Sequence, residues 1–335
     1  VAVWAAAEGT DRRGGFDSRY LNRAVHGLYP PGSTFKTITA AGAIDHGLHR
    51  VGHSDFDYNE GPSGPQDPGF GQGGRWHQLP LVDGPPITGG NHPHVDDWTF
   101  DITEAFAYSC NIAFAEMGIE LGAERLVDVS RRFGFERPIE VPGLGTTIST
   151  LDTAAEAELG ERPLAQTDDQ LARTAFGQGE LLASPLHMAM VAAAVANDGV
   201  IMQPRIVAGL RDQRGDWIIE APTDVFIDTE LAPETVAGMQ VLFDAAVDFG
   251  TAEQAAVDDS RGRVGGKTGT AEWGGGEAAP HAWFIADYPS ADPRLALAVL
   301  VEEGGAGGDA AARVAADLLG SDAVTAYLGS LDPIR

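Results

Sequence analysis

Residues 281–302 read HAWFIADYPSADPRLALAVLVE. Two apolar runs, His281 to Tyr288 and Arg294 to Glu302, flank a turn marked by Pro289 and Pro293. Runs of that length bounded by turn residues predict two buried strands of one hairpin. Just upstream, Gly262 to Glu272 alternates and predicts a third strand. Val1 to Ala7, VAVWAAA, reads as a short strand at the other end of the chain. The long stretch between them carries helical patterns. Residues 33–46 follow Pro30, Pro31 and Gly32 and stop at Gly47; residues 103–121 and 123–133 come next. Ser184 followed by Pro185 starts a helix that is apolar nearly all round to Asn197, which marks it as buried. Pro233 to Phe249 and about 309–328 complete the set. The first strand must join a sheet that is finished only near the C-terminus. The expected fold class is therefore α/β (α+β), one sheet with helices on its faces and a large helical insert. Residues 51–100 are rich in Gly, Pro, His and Asp without a period, and predict a long irregular excursion of the kind often found near functional sites.

The chain has 335 residues, enough for a sizeable core. Acids outnumber bases 49 to 22, a formal charge of -27. Such a chain does not bind nucleic acid or an anionic membrane through a general field. The acid excess fits a protein facing high salt, and equally drift in a G+C-rich genome. Cys110 is the single cysteine, so neither an intrachain disulfide nor a cysteine-based zinc site is available. No apolar run approaches a membrane span, and no signal peptide is visible, since Val1 to Ala7 reads as a strand without a basic leader; the chain is expected to begin inside a longer protein. Of the 22 basic residues, only Lys36 and Lys267 are lysines; the other 20 are arginines.

Lys36 lies one turn after Ser33 in Pro31-Gly32-Ser33-Thr34-Phe35-Lys36. A serine needs a base to become a nucleophile, and a lysine serves only when neutral. Burial and a nearby cation can neutralise lysine but not arginine. Lys267 lies in Val264-Gly265-Gly266-Lys267-Thr268-Gly269-Thr270-Ala271. Glycines weaken a strand unless another backbone or a ligand must come close. There Lys267, Thr268 and Thr270 offer a cation and hydroxyls to an anionic group, and the two lysines suggest a small cationic pocket hidden by the acidic total. Ser109-Cys110-Asn111 adds a hydroxyl and an amide between or within two helices. If buried they need partners.

In this order, Ser33-x-x-Lys36, Ser109-x-Asn111 and Lys267-Thr268-Gly269 resemble the triple signature of penicillin-binding proteins and serine β-lactamases. The flanks resemble the transpeptidase domain of class B penicillin-binding proteins. They are Asn22-Arg23-Ala24, Tyr29-Pro30-Pro31-Gly32, Gly177-Gln178-Gly179 leading to Ser184-Pro185-Leu186, Thr270-Ala271-Glu272, His281-Ala282-Trp283-Phe284 and the glycine-rich segment after Glu302-Glu303.

The resemblance implies a β-lactamase/transpeptidase-like fold: a mainly antiparallel five-stranded sheet covered by helices. One domain would span 1–335, with a sheet lobe (about 1–35 and 250–335) and a mostly helical lobe (about 36–249). Family members also carry a membrane anchor and an N-terminal pedestal domain, neither expected in this chain. The implied activity is a D,D-transpeptidase that cross-links the D-Ala-D-Ala stem peptides of septal or elongation peptidoglycan at the extracytoplasmic face of the bacterial membrane. A membrane glycan synthase is the implied partner, and penicillins and other β-lactams the implied inhibitors; a serine β-lactamase and a β-lactam-sensing or idle module are the alternatives.

The implied nucleophile is Ser33 and the implied base Lys36. Ser109 would relay a proton, Asn111 would bond substrate and Lys36, and Lys267 would add positive potential. Thr268, Gly269 and Thr270 would bind the terminal carboxylate, and the backbone N–H groups of Ser33 and Thr270 would form the oxyanion hole. No cofactor or metal is implied. His53, His77, His92, His94 and Asp96 read as solvated loop residues rather than metal ligands. Glu156-Ala157-Glu158-Leu159 reads as a solvated acidic stretch rather than a deacylating segment. Cys110 reads as a small buried filler and His187 as a satisfied core histidine. Trp273-Gly274-Gly275-Gly276-Glu277 reads as a flexible edge near the site.

Overall fold

The computed structural model describes residues 21–57, 99–151, 168–257, 261–273 and 278–331. The strand expected at Val1–Ala7, the histidines at 77, 92 and 94 with Asp96, the segment 156–160 and residues 274–277 lie outside them.

In chain order the helices are α1 (Arg23–His26), α2 (Lys36–Asp45), α3 (Ile102–Ala107), α4 (Asn111–Leu121), α5 (Ala123–Arg132), α6 (Asp168–Ala175), α7 (Pro185–Ala196), α8 (Pro233–Asp248), α9 (Ala311–Leu319) and α10 (Asp322–Ser330). The strands are β1 (Ser54–Asp57), β2 (Thr99–Asp101), β3 (Val200–Met202), β4 (Gly209–Arg211), β5 (Trp217–Glu220), β6 (Val225–Asp228), β7 (Gly265–Ala271), β8 (His281–Tyr288) and β9 (Leu295–Val301).

Among the described residues the central sheet is antiparallel with order β7-β8-β9. Its register sets Gly265 opposite Asp287, Lys267 opposite Ile285 and Ala282 opposite Val301. Three strands of the expected five are thus described. All eight residues of β8 are buried, so both its faces are covered. Helix α7 packs against β8 and β9, α8 against β7, and α9 against β8 and β9. Helix α7 is buried from Pro185 through Val195 and starts as expected, with Ser184 Oγ accepting the His187 N–H at 3.2 Å.

Two expected helices are each broken in two. A capping box of Asp101 and Glu104 starts α3, and the 103–121 pattern then splits at Ser109, φ 59°. The Ala107 carbonyl accepts from Thr251 N at 2.9 Å instead of from a following turn of helix. The C-terminal helix splits at Gly320, where Ser321 caps α10 through the Val324 N–H. The 51–100 excursion is not wholly irregular: β1 and β2, at its two ends, pair antiparallel. No described helix is long and apolar enough to cross a membrane.

Candidate active site

The Pro-Pro-Gly run forces a sharp entry to α2. Gly32 sits at φ 53°, a left-handed conformation that favours glycine. A Cβ there would lie 2.7 Å from the Thr270 carbonyl oxygen. Gly32 therefore lets the turn press directly on β7. The first turn, Gly32–Phe35, is 3₁₀ rather than the expected α-helix. Side chains three apart in a 3₁₀ turn eclipse one another, which stacks Ser33 and Lys36 on one side. Thr34 tightens the turn by donating its hydroxyl to the Pro31 carbonyl at 2.7 Å.

Lys36 is fully buried. Its Nζ lies 2.6 Å from the Ser109 carbonyl oxygen, 2.6 Å from Asn111 Oδ1 and 3.1 Å from Ser109 Oγ. Burial lowers its pKa to about 7. Both protonation states fit this cage. The ammonium donates to all three oxygens. The neutral amine donates to the two acceptors at 2.6 Å and turns its lone pair toward the Ser109 hydroxyl, which can then donate. The α3–α4 break is what presents both Ser109 atoms.

Lys267 is also fully buried, but its Nζ reaches only the Thr268 carbonyl, at 3.2 Å, and lies 5.4 Å from the centre of the Phe106 ring. Burial, and next the charge of Lys36, hold its pKa well below the usual lysine value. Thr268 Oγ1 and Thr251 Oγ1 share a hydrogen bond of 2.6 Å. Thr270 is the exposed residue of β7, and its hydroxyl accepts the Gly307 N–H at 3.3 Å. The glycines of this strand answer to close approach: a Cβ on Gly269 would lie 2.8 Å from the Pro31 carbonyl oxygen. Ser33, Ser109, Asn111, Thr268 and Thr270 all line one cleft of about 600 Å³, with Lys36 and Lys267 beneath it.

The family model of the penicillin binding protein transpeptidase domain matches residues 2–79 and 75–320. The chain belongs to that family. Peptidoglycan D,D-transpeptidase PbpA of Mycolicibacterium smegmatis is 34% identical over 295 residues, covering 86% of this chain and 52% of that protein. The chain thus spans about half the length of the curated relatives it matches. Penicillin-binding protein A from M. tuberculosis, solved as its penicillin G acyl-enzyme complex, superposes with a TM-score of 0.69 at 29% identity, over 92% of this chain and 63% of that one. The D,D-transpeptidase domain of a peptidoglycan glycosyltransferase from Eggerthella lenta superposes with a TM-score of 0.73 at 28% identity, over 93% and 69%.

The walls of this transpeptidase domain's cleft differ from the expected cationic pocket. Among the described residues its lining includes Glu253, Glu272 and Asp309 and no Lys, Arg or His. Both lysines are sealed below, where desolvation works against their charge. Thr251, Tyr108, Gln178 and Glu253 also line the cleft. Local sequence offers little signal for Thr251 or Glu253, which arrive with the turn after α8. Gly250 beside them is required by packing, since its Cβ would strike the Ala107 carbonyl.

Cys110 and His187 match their expectations as buried residues. His187 Nε2 lies 2.9 Å from the Phe133 carbonyl, which makes Nε2 the donor, and burial lowers its pKa to about 4. His187 is only half satisfied, because Nδ1 has no hydrogen-bond partner. His53 is exposed, and no cluster of three metal-ligating side chains occurs among the described residues.

Proposed function

We propose that this chain is the catalytic domain of a D,D-transpeptidase that cross-links peptidoglycan stem peptides through an acyl-enzyme on Ser33. The observation that carries the reading is Lys36: fully buried, one turn from Ser33, caged by Ser109 and Asn111, with a pKa brought to about 7. Ser33 Oγ attacks the carbonyl of the penultimate D-Ala while neutral Lys36 takes its proton. The backbone N–H groups of Ser33 and Thr270 receive the developing oxyanion. Lys36 returns the proton through Ser109 to the departing D-Ala amine as the C–N bond breaks. Thr268, Gly269 and Thr270 seat the terminal carboxylate, whose charge favours the ammonium form of Lys267. Asn111 bonds the substrate amide and Lys36. An amine from a second stem peptide then takes the acyl group. Penicillins acylate Ser33 and leave slowly, since the amine released by ring opening stays tethered.

The similarity to D,D-transpeptidases and to a penicillin acyl-enzyme supports this reading. So do the matched ends of the motifs at one cleft. The proposed organisation is one domain of two lobes, sheet at about 1–35 and 250–335 and helical at about 36–249. The proposed setting is the extracytoplasmic face of the bacterial membrane, with a glycan synthase supplying strands.

A fluorescent penicillin followed by intact mass spectrometry tests the reading. A long-lived adduct on Ser33, absent from Ser33→Ala, is the expected result. Rapid turnover of the drug would replace it with a β-lactamase, and no adduct would replace it with an idle module.

A further inference from the structure

Glu302, at the end of β9, is not among the residues lining the cleft. Its Oε1 accepts two hydrogen bonds, from Tyr29 Oη at 2.6 Å and from Arg23 Nε at 3.0 Å. Tyr29 opens the segment that runs through Pro30, Pro31 and Gly32 to Ser33. That segment is tied down at three further points. The Tyr29 backbone exchanges hydrogen bonds with Ala183, 3.0 Å and 2.8 Å. The Trp283 Nε1–H donates to the Pro30 carbonyl at 2.9 Å. The Tyr29 ring meets His281 and Trp283 edge-on, with centroids 5.3 Å and 6.2 Å away. Gly27 leaves room for the phenol: a Cβ there would lie 2.7 Å from Tyr29 Oη.

We infer that Glu302 is a positioning residue for the nucleophile, acting through Tyr29 to hold the Ser33 turn against β7. This rests on the proposed acylation of Ser33. Three residues separate Tyr29 from Ser33, and two of them are prolines, so little slack exists to absorb a shift of the phenol. Displacing Tyr29 moves the Ser33 N–H away from the Thr270 N–H, because Gly32 is what packs on Thr270. Burial and the Glu302 bond raise the Tyr29 pKa well above its usual value, so its hydroxyl stays a donor throughout the working pH range. A rigid link of this kind acts on the rate of the chemical step more than on binding, since a misplacement of about 1 Å can cost about 10²-fold.

The experiment measures acylation by a fluorescent penicillin as a function of drug concentration and pH, with melting temperatures, for Glu302→Ala, Glu302→Gln and Tyr29→Phe. Glu302→Ala and Tyr29→Phe should lower the limiting acylation rate by about 10- to 100-fold. The half-saturating concentration should change by less than about twofold, as expected when only the reacting geometry is lost. Glu302→Gln keeps an acceptor for Tyr29 and should restore most of the rate. A limiting rate per folded molecule that stays unchanged in Glu302→Ala, whatever the melting temperature, overturns the inference. So does Glu302→Gln as slow as Glu302→Ala, or a Glu302→Gln pH profile with a moved midpoint, since either makes charge rather than position the cause. Failure of the wild-type chain to form any Ser33 adduct is a separate outcome that removes the acyl-enzyme reading itself and the inference with it.

Discussion

The two lysines occupy neighbouring desolvated pockets, one built by helices and one by the sheet, and the pockets differ in what they offer. On the helical side Lys36 has three oxygens at 2.6, 2.6 and 3.1 Å. On the sheet side Lys267 has one backbone carbonyl at 3.2 Å, while a ring lies 5.4 Å from each Nζ, Phe114 for Lys36 and Phe106 for Lys267. Burial lowers both pKa values, but the Lys267 shift is large enough to leave it well below the ordinary range, with Lys36 as an additional cause. The difference lies in how many acceptors each amine finds once burial has worked against its charge. Lys36 is built to gain and lose a proton in place. Lys267, with a single acceptor, is less compensated for its burial.

Arginine substitution breaks the comparison most sharply. Lys36→Arg cannot give up its proton and should lower acylation of Ser33 by about 10²- to 10⁴-fold. Lys267→Arg keeps a charge where charge is wanted but crowds a glycine-lined strand, and should cost less, about 10-fold or somewhat more. Rates from fluorescent penicillin, normalised to folded protein, measure both. Equal losses would mean that the two pockets are equivalent.

The pH profile sharpens the same contrast. Acylation needs neutral Lys36, so the rate should rise about tenfold per pH unit below a midpoint of about 7 and level off above it. A permanent charge at position 267 further disfavours the Lys36 ammonium. Lys267→Arg should therefore move the midpoint to lower pH. A midpoint that stays in place would show that the two sites do not feel each other.

Much of this was legible in the residues. The hairpin of β8 and β9 follows from two apolar runs and their turn, and the β8 boundaries match residue for residue. The order of Ser33, Lys36, Ser109, Asn111, Lys267, Thr268 and Thr270 resembles a known signature, and the structure brings these residues together at one cleft. What the residues could not show are features decided by contacts distant in sequence. The α3–α4 break depends on Thr251 taking the Ala107 carbonyl, more than a hundred residues away along the chain. The nucleophile turn takes its 3₁₀ form where Gly32 packs directly on Thr270, a neighbour the local sequence does not reveal. The acidic lining depends on where Glu253 and Asp309 arrive after folding. The expectation of a cationic pocket fails at Lys267, which reads as a cation in the sequence although burial works against its charge.

Asp287 extends the contrast to an acid on the same sheet. It lies opposite Gly265, at the start of the strand that carries Lys267. Burial, and next the charge of Asp244, raise its pKa to about 7, and Asp287 Oδ1 has no hydrogen-bond partner. Its folded pKa exceeds its unfolded value. The folded state therefore binds the extra proton, and the associated stability, complete at low pH, is lost as pH rises toward about 7. The expected slope is at most about 1.4 kcal/mol per pH unit. Asp287→Asn should flatten this component of the profile in chemical denaturation between about pH 4 and 7. An unchanged slope in the variant would place the proton elsewhere.

The smallest expected effect concerns how the drug arrives. The chain carries a formal charge of -27, and the cleft lining presents Glu253, Glu272 and Asp309 to an anionic penicillin. The two lysines that would attract it are sealed beneath, where burial disfavours their charge. Long-range repulsion should therefore slow the encounter when screening is weak. The Debye length falls from about 30 Å at 0.01 M salt to about 8 Å at 0.15 M. Over that range the second-order rate of acylation by an anionic penicillin should rise by roughly two- to fivefold. The limiting rate at saturating drug should stay constant, because buried groups are screened little. A zwitterionic penicillin, whose ammonium offsets the repulsion, should show a weaker rise. Glu253→Gln and Glu272→Gln should each reduce the salt slope while leaving the pH midpoint with Lys36. A flat or falling rate for the anionic drug would mean that the buried lysines, not the acidic walls, set the field at the mouth.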